Sequence, residues 1–184
     1  YTSPKRHKTK FLSLRYGNVL GSNGSVIPKF VKQIRTDKKI TITDPQMTRF
    51  SITMDEALDF ILESTIISKG SEIFIPKLRT YSITDVKDVL FELIGKVDEE
   101  YVGIRPGEKL HETLINYDEM RYTYELDGKY VILKSSEIEK KVLDKYEKIN
   151  KVNGSKPYSS DLTEKIPKSE LKIILKNFLT NYEK

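Results

Sequence analysis

Arg49 and Arg105 are the side chains whose type and setting best suit binding chemistry, because the sequence holds only seven arginines. Arg49 follows Met47-Thr48 and precedes an apolar strand pattern, and Arg105 begins the compact turn Arg105-Pro-Gly-Glu108. Guanidinium groups bind phosphate oxygens in a bidentate fashion, so two arginines from separate strand–loop junctions would clamp a pyrophosphate if they converge. The structural alternatives are a surface ion pair of Arg49 with Asp44 and helix capping by Glu108.

A glycine-rich loop lies between a predicted strand and a predicted helix, and it contains Gly17-Asn18 and Gly21-Ser-Asn-Gly-Ser25. Free N–H groups at a helix N-terminus attract anions. The spacing of these glycines fits neither the dinucleotide fingerprint nor the phosphate-loop motif. An anion site and a plain strand–helix turn therefore both stay open for this loop.

The two histidines, His7 and His111, are not accompanied by carboxylates at ligand spacing, so no metal site is predicted. Tyr1 and Lys5 have the Tyr-x-x-x-Lys spacing of short-chain dehydrogenases. That motif needs both side chains on one helical face, and Pro4 opposes the helix. We therefore predict no catalytic residue from this pair.

The composition indicates a globular chain, with 38% hydrophobic and 32% charged residues among 184. The lack of Cys excludes a disulfide framework and a thiolate nucleophile. No apolar run reaches the roughly 18 residues of a membrane helix, and no signal peptide is visible, so a cytoplasmic protein without a membrane partner is expected. The net charge of +5 comes from lysines interleaved with acidic residues, which is typical of a solvated surface and disfavours a nucleic-acid partner.

Strand and helix patterns alternate along the chain, which predicts an α/β fold. Strands are predicted at 10–16, 39–43, 49–53, 72–76, 100–104 and 129–133. Helices are predicted after Ser25, after Thr53, at 82–94, in the last part of 105–112, at 137–149 and at 168–182. Ser25 is expected to cap the first helix. The helix after Thr53 is expected to bury a stripe of Ala57, Leu58, Ile61 and Leu62.

Several motifs occur in a fixed order, and the list comprises Arg15-Tyr-Gly-Asn-Val19, Gly21-Ser-Asn-Gly-Ser-Val-Ile-Pro28, Ile42-Thr-Asp-Pro-Gln-Met-Thr-Arg-Phe50, Gly103-Ile-Arg-Pro-Gly-Glu-Lys-Leu-His-Glu112 and Tyr158-Ser-Ser160. Together they resemble the nucleotide-sugar 4,6-dehydratases of the extended short-chain dehydrogenase/reductase family, which act in polysaccharide biosynthesis. The nearest resemblance is to the inverting UDP-N-acetylglucosamine 4,6-dehydratases of pseudaminic acid synthesis. The second-nearest resemblance is to the dehydratase/C5-epimerases and 4-epimerases of capsule and O-antigen synthesis.

The resemblance extends over nearly the whole chain but only over the second half of the family's enzymes. It implies late strands and helices of a Rossmann-type parallel sheet together with a small α/β substrate-binding lobe. Residues 10–76 would mix the two parts, and residues 77–184 would form mainly the lobe. The cofactor-binding half, with its catalytic residues, is expected upstream of Tyr1, in the same chain or a separate one. The full enzyme is expected to be a homo-oligomer.

The resemblance also implies site residues. The expected UDP-sugar contacts are Asn18, Ser25, Val26, Arg49, Arg105, Glu108 and Tyr158. Within this set, Arg49 and Arg105 would hold the diphosphate, and Glu108 would accept from the ribose hydroxyls. Tyr16 and Asn18 are expected to contact the cofactor, NADP or NAD, which the other half would mainly hold.

The implied activity of the whole enzyme is an NAD(P)-dependent dehydration. Hydride leaves C4 of the sugar, water is lost across C5–C6, and the hydride returns to C6. This chain would contribute binding energy that orients the sugar. A non-catalytic UDP-sugar-binding module is the other interpretation that the sequence leaves open.

Overall fold

The computed structural model describes residues 9–133, 143–154 and 156–182. The described residues form two compact units, and each unit is drawn from three stretches of the chain. The sheet unit comes from Tyr1–Tyr16, Met54–Lys77 and Thr113–Ser159, and the cavity unit comes from Gly17–Thr53, Leu78–Glu112 and Ser160–Lys184. No helix in the described part of the chain is long and apolar enough to cross a membrane.

Groups of strands and single helices follow one another along the chain. The strands are β1 (Ser13–Leu14), β2 (Asn18–Val19), β3 (Lys39–Ile42), β4 (Thr48–Ile52), β5 (Ile73–Pro76), β6 (Arg79–Ser82), β7 (Asp98–Tyr101), β8 (Thr113–Ile115), β9 (Thr123–Leu126), β10 (Lys129–Ile132), β11 (Ile149–Lys151) and β12 (Tyr158–Ser159). The α-helices are α1 (Val26–Lys32), α2 (Met54–Ile67), α3 (Ile83–Ile94), α4 (Tyr117–Met120) and α5 (Lys168–Tyr182). A π-helical turn, Gln33–Asp37, directly continues α1. The predicted α/β class is confirmed.

The sheet unit is built on a five-stranded sheet in the order β1-β5-β10-β9-β11. β1 and β5 are parallel, and the other pairs are antiparallel. The β9–β10 hairpin turns at Asp127-Gly128, where both residues have positive φ, as the short turn requires. The core of the sheet unit lies where α2 covers the sheet, and Phe60 of α2 packs there with Phe74 and Val131.

The α2 helix corrects one prediction about burial. Ala57 is buried as expected, but Leu58 and Leu62 are 50% and 62% exposed. The helix carries two stripes of apolar residues. The stripe that packs inward contains Ala57 and Phe60, and Ser64 is buried on the same side. A period of 3.6 residues places Leu58 and Leu62 away from that stripe.

The cavity unit contains two small sheets and three long helical segments. In one sheet β2 runs parallel to β4, and β4 runs antiparallel to β6. In the other sheet β3 and β7 are parallel. Side chains from α1, α3 and α5 form the core with residues of β3 and β6. Helix α3 is capped at both ends, since Ser82 Oγ accepts from Asp85 N and Gly95 ends the helix.

Four local predictions need correction. The last part of 105–112 is not helical, because its carbonyl oxygens accept from other segments: Leu110 O accepts from Thr48 N, and Glu112 O accepts from Ser160 N. The strand predicted at 100–104 is observed as β7 at Asp98–Tyr101, because these four residues are the ones that pair in register with β3. Ser25 stands at the N-cap of α1, but its side chain makes no capping hydrogen bond. Residues 137–142 of the helix predicted at 137–149 lie outside the described residues. The prediction is wrong for the described part, because only Leu143 is helical there and Ile149 begins β11.

Candidate functional site

A cavity of about 280 Å³ opens within the cavity unit. Its wall comprises Asn18, Gly24, Ser25, Val26, Lys29, Phe30, Thr41, Thr43, Met47, Arg49, Tyr81, Ile83, Arg105 and Glu108. Six of the side chains that the sequence singled out for a UDP-sugar are among them. The wall combines apolar side chains with a few cations and hydroxyls, which is the make-up of many small-molecule sites.

Two cations of this wall have no partner among the residues that the structure describes. Among the described residues, the Arg105 guanidinium and the Lys29 ammonium group make neither a hydrogen bond nor an ion pair. Both side chains are exposed. Lys29 lies on α1, and Arg105 is held at the start of a turn in which Glu108 N donates to Arg105 O at 3.0 Å. Unpaired cations at the wall of a cavity favour an anionic ligand.

Glu108 closes the turn that carries Arg105. Its Oε2 atom accepts from Arg105 N at 3.3 Å, so the carboxylate holds the backbone of the turn. Gly107 has φ +84°, a conformation that only glycine adopts easily, and this sets the turn in front of Glu108. The helix capping weighed for Glu108 is not present, because residues 105–112 form no helix and the carboxylate binds the backbone of its own turn instead.

Arg49 is engaged with the backbone around it. Its Nη1 donates to Thr48 O at 2.8 Å and Leu110 O at 3.0 Å, and its Nη2 donates to Lys109 O at 2.8 Å. Its Nε lies 3.7 Å from Glu112 Oε1. Arg49 therefore fastens the segment that follows Glu108 onto β4, and the surface ion pair with Asp44 is not formed.

Asn18, at the start of β2, is paired with Glu112. The orientation of the Asn18 amide that satisfies both groups places Nδ2 against the carboxylate, where it donates to Oε2 at 3.1 Å and also to Oε1. Glu112 Oε2 also accepts from Phe50 N at 3.0 Å. Gly17 permits this approach, since a side chain at that position would collide with Phe50.

The surroundings of Glu112 shift its protonation. Burial raises the pKa of Glu112, while the Phe50 N–H and the charges of Arg49 and Lys109 oppose the rise. Burial also raises the pKa of Tyr81, with a further contribution from the charge of Glu112. Glu112 was not among the predicted site residues, although it ends the same motif as Arg105.

A second group missed by the sequence reading connects three segments. Thr48 Oγ1 lies 2.8 Å from His111 Nδ1 and 2.7 Å from Ser160 Oγ. Glu112 N donates to Ser160 Oγ at 2.9 Å. These contacts, of which the one between Thr48 and Ser160 is buried, fix the end of the 105–112 segment. In residues 9–133, 143–154 and 156–182, no three His, Asp or Glu side chains come together as metal ligands.

Ser25 and Val26 meet the cavity where α1 begins. The hydroxyl oxygen of Ser25 is buried and has no hydrogen-bond partner within the described structure. A buried hydroxyl without a partner is costly, which makes Ser25 Oγ a candidate contact for a bound molecule.

Tyr16 and Tyr158 belong to the sheet unit. Tyr16 packs edge-on against Phe60 with ring centroids 6.2 Å apart, and Tyr158 packs against Tyr130 at 5.0 Å. Tyr158 also lies on β12, which pairs with β8. Their predicted ligand contacts stay predictions.

Comparison with known proteins places these features in a family. The family model described as "Polysaccharide biosynthesis protein" matches residues 2–134. The chain belongs to the polysaccharide biosynthesis protein family. It is 41% identical over 160 residues to a UDP-N-acetylglucosamine 4,6-dehydratase (inverting) of Campylobacter jejuni serotype O:2, a match covering 84% of this chain and 47% of that protein. It is 40% identical over 119 residues to a UDP-glucose 4-epimerase of Rickettsia felis, covering 64% and 35% respectively.

A solved structure of similar fold is that of Pen from Bacillus thuringiensis, with a TM-score of 0.78 and 35% identity. The likeness covers 91% of this chain and 49% of Pen. The family resemblance seen in the motifs and the Rossmann-type α/β fold expected from it are thereby confirmed. The chain spans about half the length of the inverting dehydratase it matches.

Proposed function

We propose that the cavity binds a UDP-sugar and that the chain is the substrate-binding half of a UDP-N-acetylglucosamine 4,6-dehydratase acting in surface polysaccharide or pseudaminic acid biosynthesis. The observation that carries the proposal is the pair of unpartnered cations, Lys29 and Arg105, on the wall of one cavity within the described residues. The 41% identity to the inverting dehydratase of Campylobacter jejuni supports the same assignment.

The volume and lining of the cavity suit a nucleoside diphosphate better than a bare anion. Its volume of about 280 Å³ is near the lower end of the roughly 300–1,000 Å³ typical of ligand sites. Arg105 and Lys29 would meet the diphosphate, and Arg49 would steady the segment that presents Arg105. Val26, Phe30 and Met47 would offer apolar surface to the remainder of the ligand.

The chain's own contribution to the reaction would be orientation. Binding energy gathered on the remote diphosphate holds the sugar ring in place, so that less freedom is lost when the reaction occurs. We further propose that the proton-transferring groups lie in the other half of the enzyme, on the same or a separate chain, and that the full enzyme self-associates.

A nicotinamide cofactor, NADP or NAD, is what the family suggests for the redox chemistry. The two residues expected to contact it have other engagements: Tyr16 packs on Phe60, and the Asn18 amide nitrogen faces Glu112. The contacts of these two residues with the cofactor stay predictions, and we assign no step involving the cofactor to this chain.

Calorimetric titration with UDP-N-acetylglucosamine tests the proposed site. We expect the 184-residue chain to bind it, and Arg105→Ala to weaken binding about tenfold or more, because a charge-assisted contact is lost. Arg121→Ala is the matched control, since Arg121 is exposed and paired only locally with Asp118. Equal affinities of wild type and Arg105→Ala, or no binding by wild type, would contradict the proposal.

A UDP-glucose 4-epimerase is the second candidate, because the Rickettsia felis epimerase is 40% identical over 119 residues. The two candidates differ in the preferred sugar. A parallel titration with UDP-glucose discriminates them: the dehydratase assignment predicts tighter binding of UDP-N-acetylglucosamine, and the epimerase assignment predicts the reverse order.

A further inference from the structure

The contact between Asn18 and Glu112 lies directly behind the cavity wall. Asn18 belongs to the wall, whereas Glu112 stands behind it and is shared with Phe50 N and Arg49. A primary amide has a donating edge and an accepting edge, and an ionised carboxylate only accepts. The amide of Asn18 must therefore turn Nδ2 toward Glu112, and Oδ1 is the amide atom that Glu112 does not hold.

We infer that Glu112 is a positioning residue that fixes the amide orientation of Asn18, so that Asn18 offers an acceptor oxygen to the ligand. The inference rests on the proposed UDP-sugar site and deepens it. An acceptor selects a ligand group that donates, such as a sugar hydroxyl or an amide N–H, and disfavours a phosphate oxygen. Asn18 would thus read the sugar part of the ligand and not its diphosphate.

The charged and titratable groups around Glu112 decide how firmly this orientation is held. Arg49 from β4 and Lys109 from the same segment favour the ionised carboxylate, together with the Phe50 N–H. Burial disfavours it, and the neighbouring Tyr81 stays neutral because its own pKa is raised. A protonated Glu112 would donate to Asn18 Oδ1 and turn Nδ2 away, so ligand affinity should fall as the pH drops through the titration of Glu112.

Glu112→Gln is the variant that inverts the amide. Phe50 N–H needs an acceptor, so the oxygen of the introduced amide takes the position that Glu112 Oε2 has in wild type. The NH2 group of that amide then faces Asn18 and donates to Oδ1, which reverses the amide of Asn18. We expect about tenfold weaker binding of UDP-N-acetylglucosamine, without the pH dependence seen in wild type.

A double-variant cycle tests the pairing itself. Asn18→Asp alone places two carboxylates in contact, and about tenfold weaker binding is expected. When Asn18→Asp and Glu112→Gln are combined, the amide introduced at position 112 donates to the carboxylate introduced at position 18. The other oxygen of that carboxylate again offers an acceptor to the ligand. The double variant should therefore bind about tenfold tighter than the product of the two single effects. Additive effects of the two changes would overturn the inference.

A measurement without ligand separates this inference from the proposed function. The side-chain amide resonances of Asn18 should shift with pH in wild type and be insensitive to pH in Glu112→Gln. Glu92→Gln is the matched control, since Glu92 pairs with Lys172 on the surface of the cavity unit. Asn18 resonances that are the same in wild type, Glu112→Gln and Glu92→Gln would overturn the inference. If these resonances respond and wild type binds no UDP-sugar, the positioning of Asn18 stands and the proposed function fails.

Discussion

Glu72 in the sheet unit is withdrawn from solvent, whereas Glu112 in the cavity unit is partly buried, and their partners also differ. Glu72 is fully buried and accepts from Ser68 Oγ, Lys69 N, Gly70 N and Tyr146 Oη at 2.7–3.0 Å. Three of these donors lie within four residues of Glu72, so this carboxylate closes its own loop.

Glu112 instead contacts groups that are distant in sequence, and two of them line the cavity. It accepts from Phe50 N and Asn18 Nδ2 and lies beside Arg49. The difference teaches that burial alone does not mark a functional carboxylate. What matters is whether the groups it orders are exposed to a ligand.

The largest effect on stability is expected from Glu72→Ala. This change leaves several buried donors without an acceptor, and we expect a loss of about 3 kcal/mol in the free energy of unfolding. Urea denaturation measures it, with the exposed Glu63→Ala as the control. Affinity for UDP-N-acetylglucosamine should be unchanged in Glu72→Ala below its unfolding range. A loss of affinity without a loss of stability would break the comparison.

Two of the three arginines in the motifs, Arg15 and Arg49, give the same contrast at smaller magnitude. Arg15 in the sheet unit binds Glu119 in a bidentate pair and donates to Leu114 O at 2.6 Å. We expect Arg15→Ala to cost about 1.5 kcal/mol of stability, since a partly buried charged contact is lost, and to leave ligand affinity unchanged.

Arg49→Ala should cost a similar amount of stability and weaken ligand binding as well, because it releases the segment after Glu108. Urea denaturation measures the stability of both variants, and calorimetry measures their affinity for UDP-N-acetylglucosamine. Equal ligand affinities for Arg15→Ala and Arg49→Ala would show that Arg49 has no part in the site.

The smallest effect is the pH dependence that Glu112 gives to stability. Burial raises the pKa of Glu112 above 4.5, so the folded chain binds this proton more readily than the unfolded chain. Stability should therefore rise, relative to Glu112→Gln, as the pH falls from the raised pKa to about 4.5. Thermal unfolding of both proteins across that range measures the difference. Parallel pH profiles would contradict it.

Local signals predicted much of the fold. β3, β4 and β5 follow apolar patterns with turn residues at their ends, and α3 follows its Ser82 and Gly95 caps. The inward side of α2 could not be predicted, because two apolar stripes compete and tertiary packing selects the one with Phe60. Strand and helix positions were predictable where a short stretch of sequence contains its own start and stop signals.

The candidate site was predictable only where a motif supplied it. The resemblance pointed to Asn18, Arg49 and Arg105, and the structure places all three on one cavity wall. Glu112 could not be recognised, because its importance comes from Asn18 and Phe50 N, which are about a hundred and about sixty positions away in the chain. The helix predicted around Glu112 is wrong. The tertiary hydrogen bonds that hold this segment in a non-helical conformation leave no sequence signature.

The most direct test of the account is a crystal structure of the chain with bound UDP-N-acetylglucosamine. The account predicts the diphosphate in the cavity of the cavity unit, with phosphate oxygens within hydrogen-bond distance of Arg105 and Lys29. A sugar hydroxyl or amide N–H should face Asn18 Oδ1. A ligand bound elsewhere, or in the cavity with its phosphates away from Arg105, would contradict the account.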